Sequence, residues 1–368
     1  MKLKMKRFII IPWLFILTGA GLLGYALADA LGWDMATLGH AASNFLTPKK
    51  TKIDAPAEDR PSITFILGED EDSINAYYAE ATVFYQNDPA ERTEFVVTEC
   101  HSLLEMRDYL IAHQAKSGVP WGRVNLVAHG NEWNGLSVPV LPDGKRTTVA
   151  TLAEAVGKKA LLSLPDRVAD ACTEFHIESC GVGRDTSLLK ALKHALGDGG
   201  ELPQMVSSPY FILYSSSKKA GQVVSCRREL LQPWYAFYPK TYRPRDAVLA
   251  QRLQKSYPDA QLDWQAALAR PASNHNAEPY SHEFDLPIVW VVAYPDGKPL
   301  PDLEKWREQH AWLTQQPELL IALRNLGLTL DDFQWTFLKT KHLLDDSTEV
   351  PAIRAIGLCT VLTVLRPV

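Results

Sequence analysis

Arg123-Val124-Asn125-Leu126-Val127-Ala128-His129-Gly130 and Thr173-Glu174-Phe175-His176-Ile177-Glu178-Ser179-Cys180-Gly181-Val182-Gly183 each carry a short apolar run into a reactive side chain and a glycine. Both read as buried strands whose reactive residue sits where the strand gives way to a turn. His129 and Cys180 are 51 positions apart. An imidazole and a thiol delivered from two strand tips are the minimum set for cysteine-nucleophile chemistry.

The chain upstream supports the same architecture. Ser62-Ile63-Thr64-Phe65-Ile66-Leu67-Gly68 reads as a first strand, and its near-continuous apolar run predicts burial on both faces, as in a parallel sheet. Helical spacing of Tyr77, Tyr78, Ala81 and Phe84 predicts a helix over 73–85. Glu94 to Thr98 is a second strand, and Ser102 to Ala115 a second helix with Ser102 and Glu105 set for a capping box. Gly118-Val119-Pro120 ends it. Strands alternating with helices predict a doubly wound, mostly parallel α/β sheet flanked by helices. Such sheets bind ligands beyond the carboxyl ends of their strands, the edge on which both His129 and Cys180 fall.

Downstream, helices are expected over 148–164 and 186–196, then one strand over 204–214 interrupted at Pro209 and a short strand over 222–226. From Pro233 aromatic residues cluster with prolines and arginines. A helical stretch over 246–269, an irregular one over 271–287, an apolar strand over 288–294 and one or two helices over 303–326 broken near Pro317 follow. A closing strand over 355–365 is expected to pair with the Ile288 strand. The division is therefore 1–33 as membrane anchor or signal peptide, 34–61 as linker, 62–232 as the α/β domain and 233–368 as a C-terminal α+β extension.

Composition bounds the partners. The chain has 368 residues, 46% hydrophobic and 22% charged, so it buries a sizeable core and is not a disordered chain. A net charge of −5 offers no basic surplus, and no nucleic-acid partner is expected. The five cysteines form no C-x-x-C pair, the histidines show no metal-ligand spacing, and neither metal nor cofactor is expected. Lys2, Lys4, Lys6 and Arg7 precede 21 uncharged residues, 8–28. About 20 apolar residues span a bilayer. The reading is a single-pass anchor with the domain on the periplasmic side, favoured by length over a cleaved signal peptide that would leave the domain secreted. Disulfides are then open, with no pairing assigned and at least one of the five thiols left over.

Taken singly, Cys180 reads as a buried core cysteine and His129 as a structural histidine. Gly181 and Gly183 change that, since they expose main-chain N–H groups beside the sulfur that suit an oxyanion hole. The helix beginning at Thr186 would favour a thiolate. Neither Asp170 nor Asp185 stands out as a third member.

A strand ending in His-Gly, some fifty residues, then a strand ending in x-x-Cys-Gly resembles the caspase-like (clan CD) cysteine peptidases over 62–217. Glu178-Ser179-Cys180-Gly181 is nearer the metacaspases and related bacterial members than the caspases, whose Gln-Ala-Cys-x-Gly signature is absent. The resemblance implies His129 as catalytic imidazole, Cys180 as nucleophile, oxyanion amides at Gly130 and the Cys180–Gly181 turn, and no cofactor. It further implies that Glu178 favours a basic residue before the cleaved bond; the plainer reading of Glu178 is a salt bridge at a strand end. Ser215 and Ser216, past the next strand, complete the substrate-binding set. The expected function is a cysteine endopeptidase acting on protein or peptide. An inactive caspase-like binding domain is one alternative. A cysteine α/β-hydrolase acting on esters is another, although Glu178 stands where its nucleophile elbow needs glycine and His129 precedes the nucleophile.

Overall fold

Ser62–Ile66 forms β1, and every one of its five residues is buried, Ser62 and Thr64 along with the apolar three. In the computed structural model, the described residues are 60–70, 76–87, 93–197, 202–270, 278–295, 299–344 and 348–368. Helix α1 (Tyr77–Asn87) follows, then β2 (Phe95–Val97), α2 (Leu103–Ser117) and β3 (Arg123–Val127). Ser102 caps α2 by accepting from the Glu105 N–H, and Gly118 closes it in the left-handed region at φ 72°.

Three short strands, β4 (Gly130–Asn131), β5 (Gly135–Pro139) and β6 (Arg146–Thr147), make a small antiparallel sheet of their own. Then come α3 (Val149–Gly157), β7 (Glu174–Glu178), α4 (Thr186–Leu196) and β8 (Gln204–Ser207). The five strands β2-β1-β3-β7-β8 lie side by side in that order, every pair parallel. This is a doubly wound order whose direction of winding reverses between β1 and β3. Leu103, Met106 and Leu110 of α2, Leu152 of α3, and Leu188 and Leu192 of α4 pack with Phe65, Leu126 and Phe175 in one core. Tyr77, Tyr78, Ala81, Phe84 and Tyr85 of α1 pack with Ile66 and Val127 in another.

The second half is antiparallel. β9 (Phe211–Lys219), β10 (Gln222–Pro239), β11 (Tyr280–Ala293), β12 (Thr336–Leu344) and β13 (Thr348–Pro367) form a sheet ordered β11-β13-β10-β9, with β12 also on β13. Val361 and Leu365 join the core that includes Trp312, Leu319 and Leu323, while Leu362 and Val364 pack with Leu249, Leu253 and Trp264. Burial on both faces explains why β13 reads as a continuous apolar run. The expected pairing of the closing strand is present, with Ile288 opposite Gly357. β10 runs without interruption through position 233.

Several expected elements differ. Residues 204–214 are two strands in two sheets, because Pro209 lies where the chain leaves the parallel sheet. The helix expected over 148–164 ends at Gly157, with Lys159 at φ 56°. The stretch expected to be helical over 246–269 is two helices, α5 (Asp246–Ser256) and α6 (Trp264–Ala269). The stretch expected to be irregular over 271–287 holds the start of β11, where Pro287 is tolerated because β11 is an edge strand. The one or two helices expected over 303–326 are two, α7 (Trp306–Thr314) and α8 (Pro317–Asn325).

The membrane assignment is corrected. No helix among the described residues is long and apolar enough to cross a membrane, against the expected single-pass placement. Residues 8–28, which carried that expectation, lie outside the described residues, as does most of the 34–61 linker. All five cysteines are free thiols.

Candidate functional site

β3 and β7 pair in register from Arg123–Glu174 to Val127–Glu178, a constant offset of 51. The ladder goes one step further, since the Ala128 N–H donates to the Glu178 carbonyl at 3.2 Å. His129 and Cys180 each follow the last residue of their strand by two positions, so both lie at the end of this ladder. Sequence spacing and strand pairing thus agree on one location, the carboxyl edge of the sheet beside the β1–β3 switch.

His129 is held by α1. Its ring stacks on Tyr77 with centroids 4.5 Å apart and meets the edge of Tyr78 at 4.7 Å. The His129 main-chain N–H donates to the Tyr78 hydroxyl at 2.9 Å, and that hydroxyl also bonds Ser137 Oγ at 3.2 Å. The Tyr77 hydroxyl donates to the Glu178 carbonyl at 3.0 Å. Its own ionisation is pushed well above the usual range, first by burial and then by negative charge at Cys180 and Glu178.

Cys180 sits beneath the start of β9. Its thiol donates to the Ile212 carbonyl at 3.7 Å and the sulfur accepts the Ile212 N–H at 3.5 Å. Burial pushes the thiol up to about 11; the Ile212 contact works against that shift and Glu178 adds to it. At neutral pH the sulfur therefore carries its proton. Site-resolved mass spectrometry of iodoacetamide labelling is expected to show Cys180 alkylation rising about tenfold per pH unit from pH 7 to pH 10, since only the thiolate reacts. A plateau near pH 8 would mean a thiol not buried in this way.

The glycines near the dyad serve close packing. A Cβ on Gly130 would lie 2.4 Å from Ser179 Oγ and 2.7 Å from the Gly135 carbonyl oxygen. One on Gly183 would lie 2.5 Å from the Ser208 backbone. Gly181 adopts φ 69°, and its N–H donates to the Tyr210 carbonyl at 2.9 Å, so that amide is already engaged.

Glu178 is buried and holds a guanidinium. Arg228 Nε donates to Oε2 at 2.8 Å and a second guanidinium nitrogen to Oε1 at 3.1 Å, with the Tyr214 hydroxyl on Oε2 at 3.1 Å. The partner is thus a residue of this chain, on β10. Ser216, two residues after Tyr214 on β9, has a buried Oγ without a hydrogen-bond partner; Ser215 is opposite Arg227. Asp170 pairs with Arg60 at 2.8 Å, while Asp185 caps α4 through the Leu188 N–H, so both are engaged elsewhere. No group of three metal-ligating side chains occurs among the described residues.

A second charged pair lies on the two loops of the dyad. Glu132, three residues after His129, meets Arg184, four after Cys180, at 3.3 Å. The Arg184 guanidinium lies over the Tyr235 ring at 5.6 Å. Desolvation raises the Glu132 carboxyl to about 7, against the pull of Arg184. The folded protein therefore holds a proton that the unfolded chain releases near pH 4.5, and stability falls as pH rises from about 4.5 to about 7. Urea unfolding of Glu132→Gln is expected to lack that decline; an unchanged pH profile would place the effect elsewhere.

Comparison with protein-family models, curated proteins and solved structures gives no match.

The sequence pattern placed Tyr77 and Tyr78 on the buried stripe of a helix but not against the imidazole. Arg228, Glu132 and Arg184 carried no sequence signal, because ion pairs across distant strands and loops have no fixed spacing.

Proposed function

We propose that this chain is a cysteine-type peptidase of caspase-like architecture. The observation that supports the reading is the parallel pairing of β3 with β7 at an offset of 51, whose ends lead to His129 and Cys180 at the carboxyl edge of a doubly wound sheet. Two chemically complementary groups at that edge fit nucleophilic catalysis: His129 takes the proton of Cys180 as the sulfur attacks a carbonyl, then returns it to the leaving amine. A thiol protonated at rest suits a mechanism in which proton removal accompanies attack. The basic-residue preference implied by the resemblance rests on Glu178, whose carboxylate already accepts a bidentate guanidinium, that of Arg228. A peptide with Arg or Lys before its scissile bond would have to compete with it. The test is a panel of Arg-, Lys-, Asp- and Ala-terminated peptide reporters, together with an ester reporter. Peptide turnover lost in Cys180→Ala supports the reading, and ester-only turnover or turnover insensitive to Cys180→Ala rejects it.

One set of contacts favours a second reading, a non-catalytic domain. The Gly181 amide is engaged by Tyr210 and the sulfur is covered by Ile212. On that reading no reporter is turned over and Cys180 is slow toward every electrophilic peptide.

A further inference from the structure

α1 begins at Tyr77, and its first turn is tied down from three directions. Asp70, beyond the end of β1, accepts from the Tyr78 and Ala79 N–H groups, each at 2.9 Å, and so satisfies two of the free amides of the helix start. Gly68 leaves room for the Tyr78 ring, since a Cβ there would lie 2.4 Å from its Cζ. The Tyr78 hydroxyl then receives the His129 N–H. Tyr77, next in the same turn, is 7% exposed; it presents its face to the imidazole and sends its hydroxyl to the last carbonyl of β7. One side chain thus touches the imidazole and also the strand end that leads, two residues on, to Cys180.

We infer that Tyr77 is the positioning residue of the dyad: its ring face sets the imidazole of His129, and its hydroxyl fixes that face relative to the strand carrying Cys180. This inference rests on the peptidase reading. The proton taken from Cys180 leaves a positive charge on the imidazole. The stacked tyrosine presents its electron-rich face to that charge, an attraction of the kind ring faces exert on cations. The hydroxyl matters separately. It ties α1 to β7, so helix and strand move together and the imidazole keeps its distance from the sulfur.

The test follows the His129 ring protons by two-dimensional NMR, assigned by their loss in His129→Gln, together with kcat and KM on the best peptide reporter. In Tyr77→Leu the ring signals are expected to move downfield as the stacked ring current disappears. There kcat should fall about 100-fold with KM little changed, the size of effect that a misplacement of about 1 Å produces. Tyr77→Phe keeps the ring, so the His129 signals should stay while kcat falls about tenfold through loss of the Glu178 bond; it carries the test if the leucine variant does not fold. Unmoved ring signals in Tyr77→Leu, or wild-type kcat in Tyr77→Phe, would overturn the inference. Ring signals that move as expected while turnover is indifferent to Cys180→Ala would leave Tyr77 against His129 and remove the peptidase reading instead. A wild type that turns over no reporter removes the peptidase reading and the positioning role with it, wherever the ring signals lie.

Discussion

Cys180→Ala is expected to abolish peptide hydrolysis, and His129→Ala to lower kcat/KM by at least about 100-fold, within the range for loss of a positioned acid–base group. The two should not add. Once the sulfur is gone the imidazole has nothing to deprotonate, so the double variant should match Cys180→Ala. Neither change should unfold the protein. Among the described residues the hydrogen bonds of the Cys180 thiol are long ones, to the Ile212 main chain, and the His129 backbone bond to Tyr78 survives loss of the ring. Melting curves on the same samples separate loss of chemistry from loss of fold. Wild-type kcat/KM in His129→Ala would mean that the imidazole does not serve the thiol.

Arg228→Met should have the largest effect on stability. Glu178 is 7% exposed and Arg228 covers both of its oxygens. Burial works against the charge of the guanidinium, and Glu178 more than offsets it. Removing the guanidinium leaves a carboxylate in a site closed to water, a change that typically costs about 3–5 kcal/mol, whereas replacing both partners by apolar groups costs far less. Urea midpoints should therefore fall sharply for Arg228→Met and recover for the Arg228→Met, Glu178→Leu pair. On the peptidase reading the single variant also bares the acid beside the dyad. The ratio of kcat/KM for Arg- over Ala-terminated reporters should then rise at least about tenfold. A rise of that kind would show that a guanidinium from the substrate can take the place of the chain's own; a fall in both reporters alike would show that Glu178 serves the fold only.

These contacts also mark how much was legible beforehand. The parallel sheet was readable because buried strands leave apolar-rich runs, as 62–68 and 124–128 do, while 173–179 shows itself by Phe175 and Ile177 alternating with polar residues. The ends of those runs place His129 and Cys180, so their shared edge could be read before any pairing was known. The antiparallel half was harder. β10 carries the charged run Arg227-Arg228-Glu229 before its aromatic stretch, so only its first residues looked like a strand. The region after Ala269 hid β11 behind prolines and charges suited to an edge strand. Least visible were the groups that tune the site. Tyr77 and Tyr78 sit on a helical stripe that would look the same facing any core. Arg228 reaches Glu178 across 50 residues of sequence, and Gly181 looked like a free amide until the carbonyl of Tyr210 was seen beside it.

The central claim is that His129 activates Cys180. It is tested most directly with an Arg-terminated peptide bearing an electrophilic acyloxymethyl ketone, which traps only a sulfur that attacks it as a substrate. The account predicts one adduct, on Cys180, formed at least about 100-fold more slowly in His129→Ala than in the wild type. Equal rates in the two proteins, or labelling confined to the exposed Cys172, would contradict it.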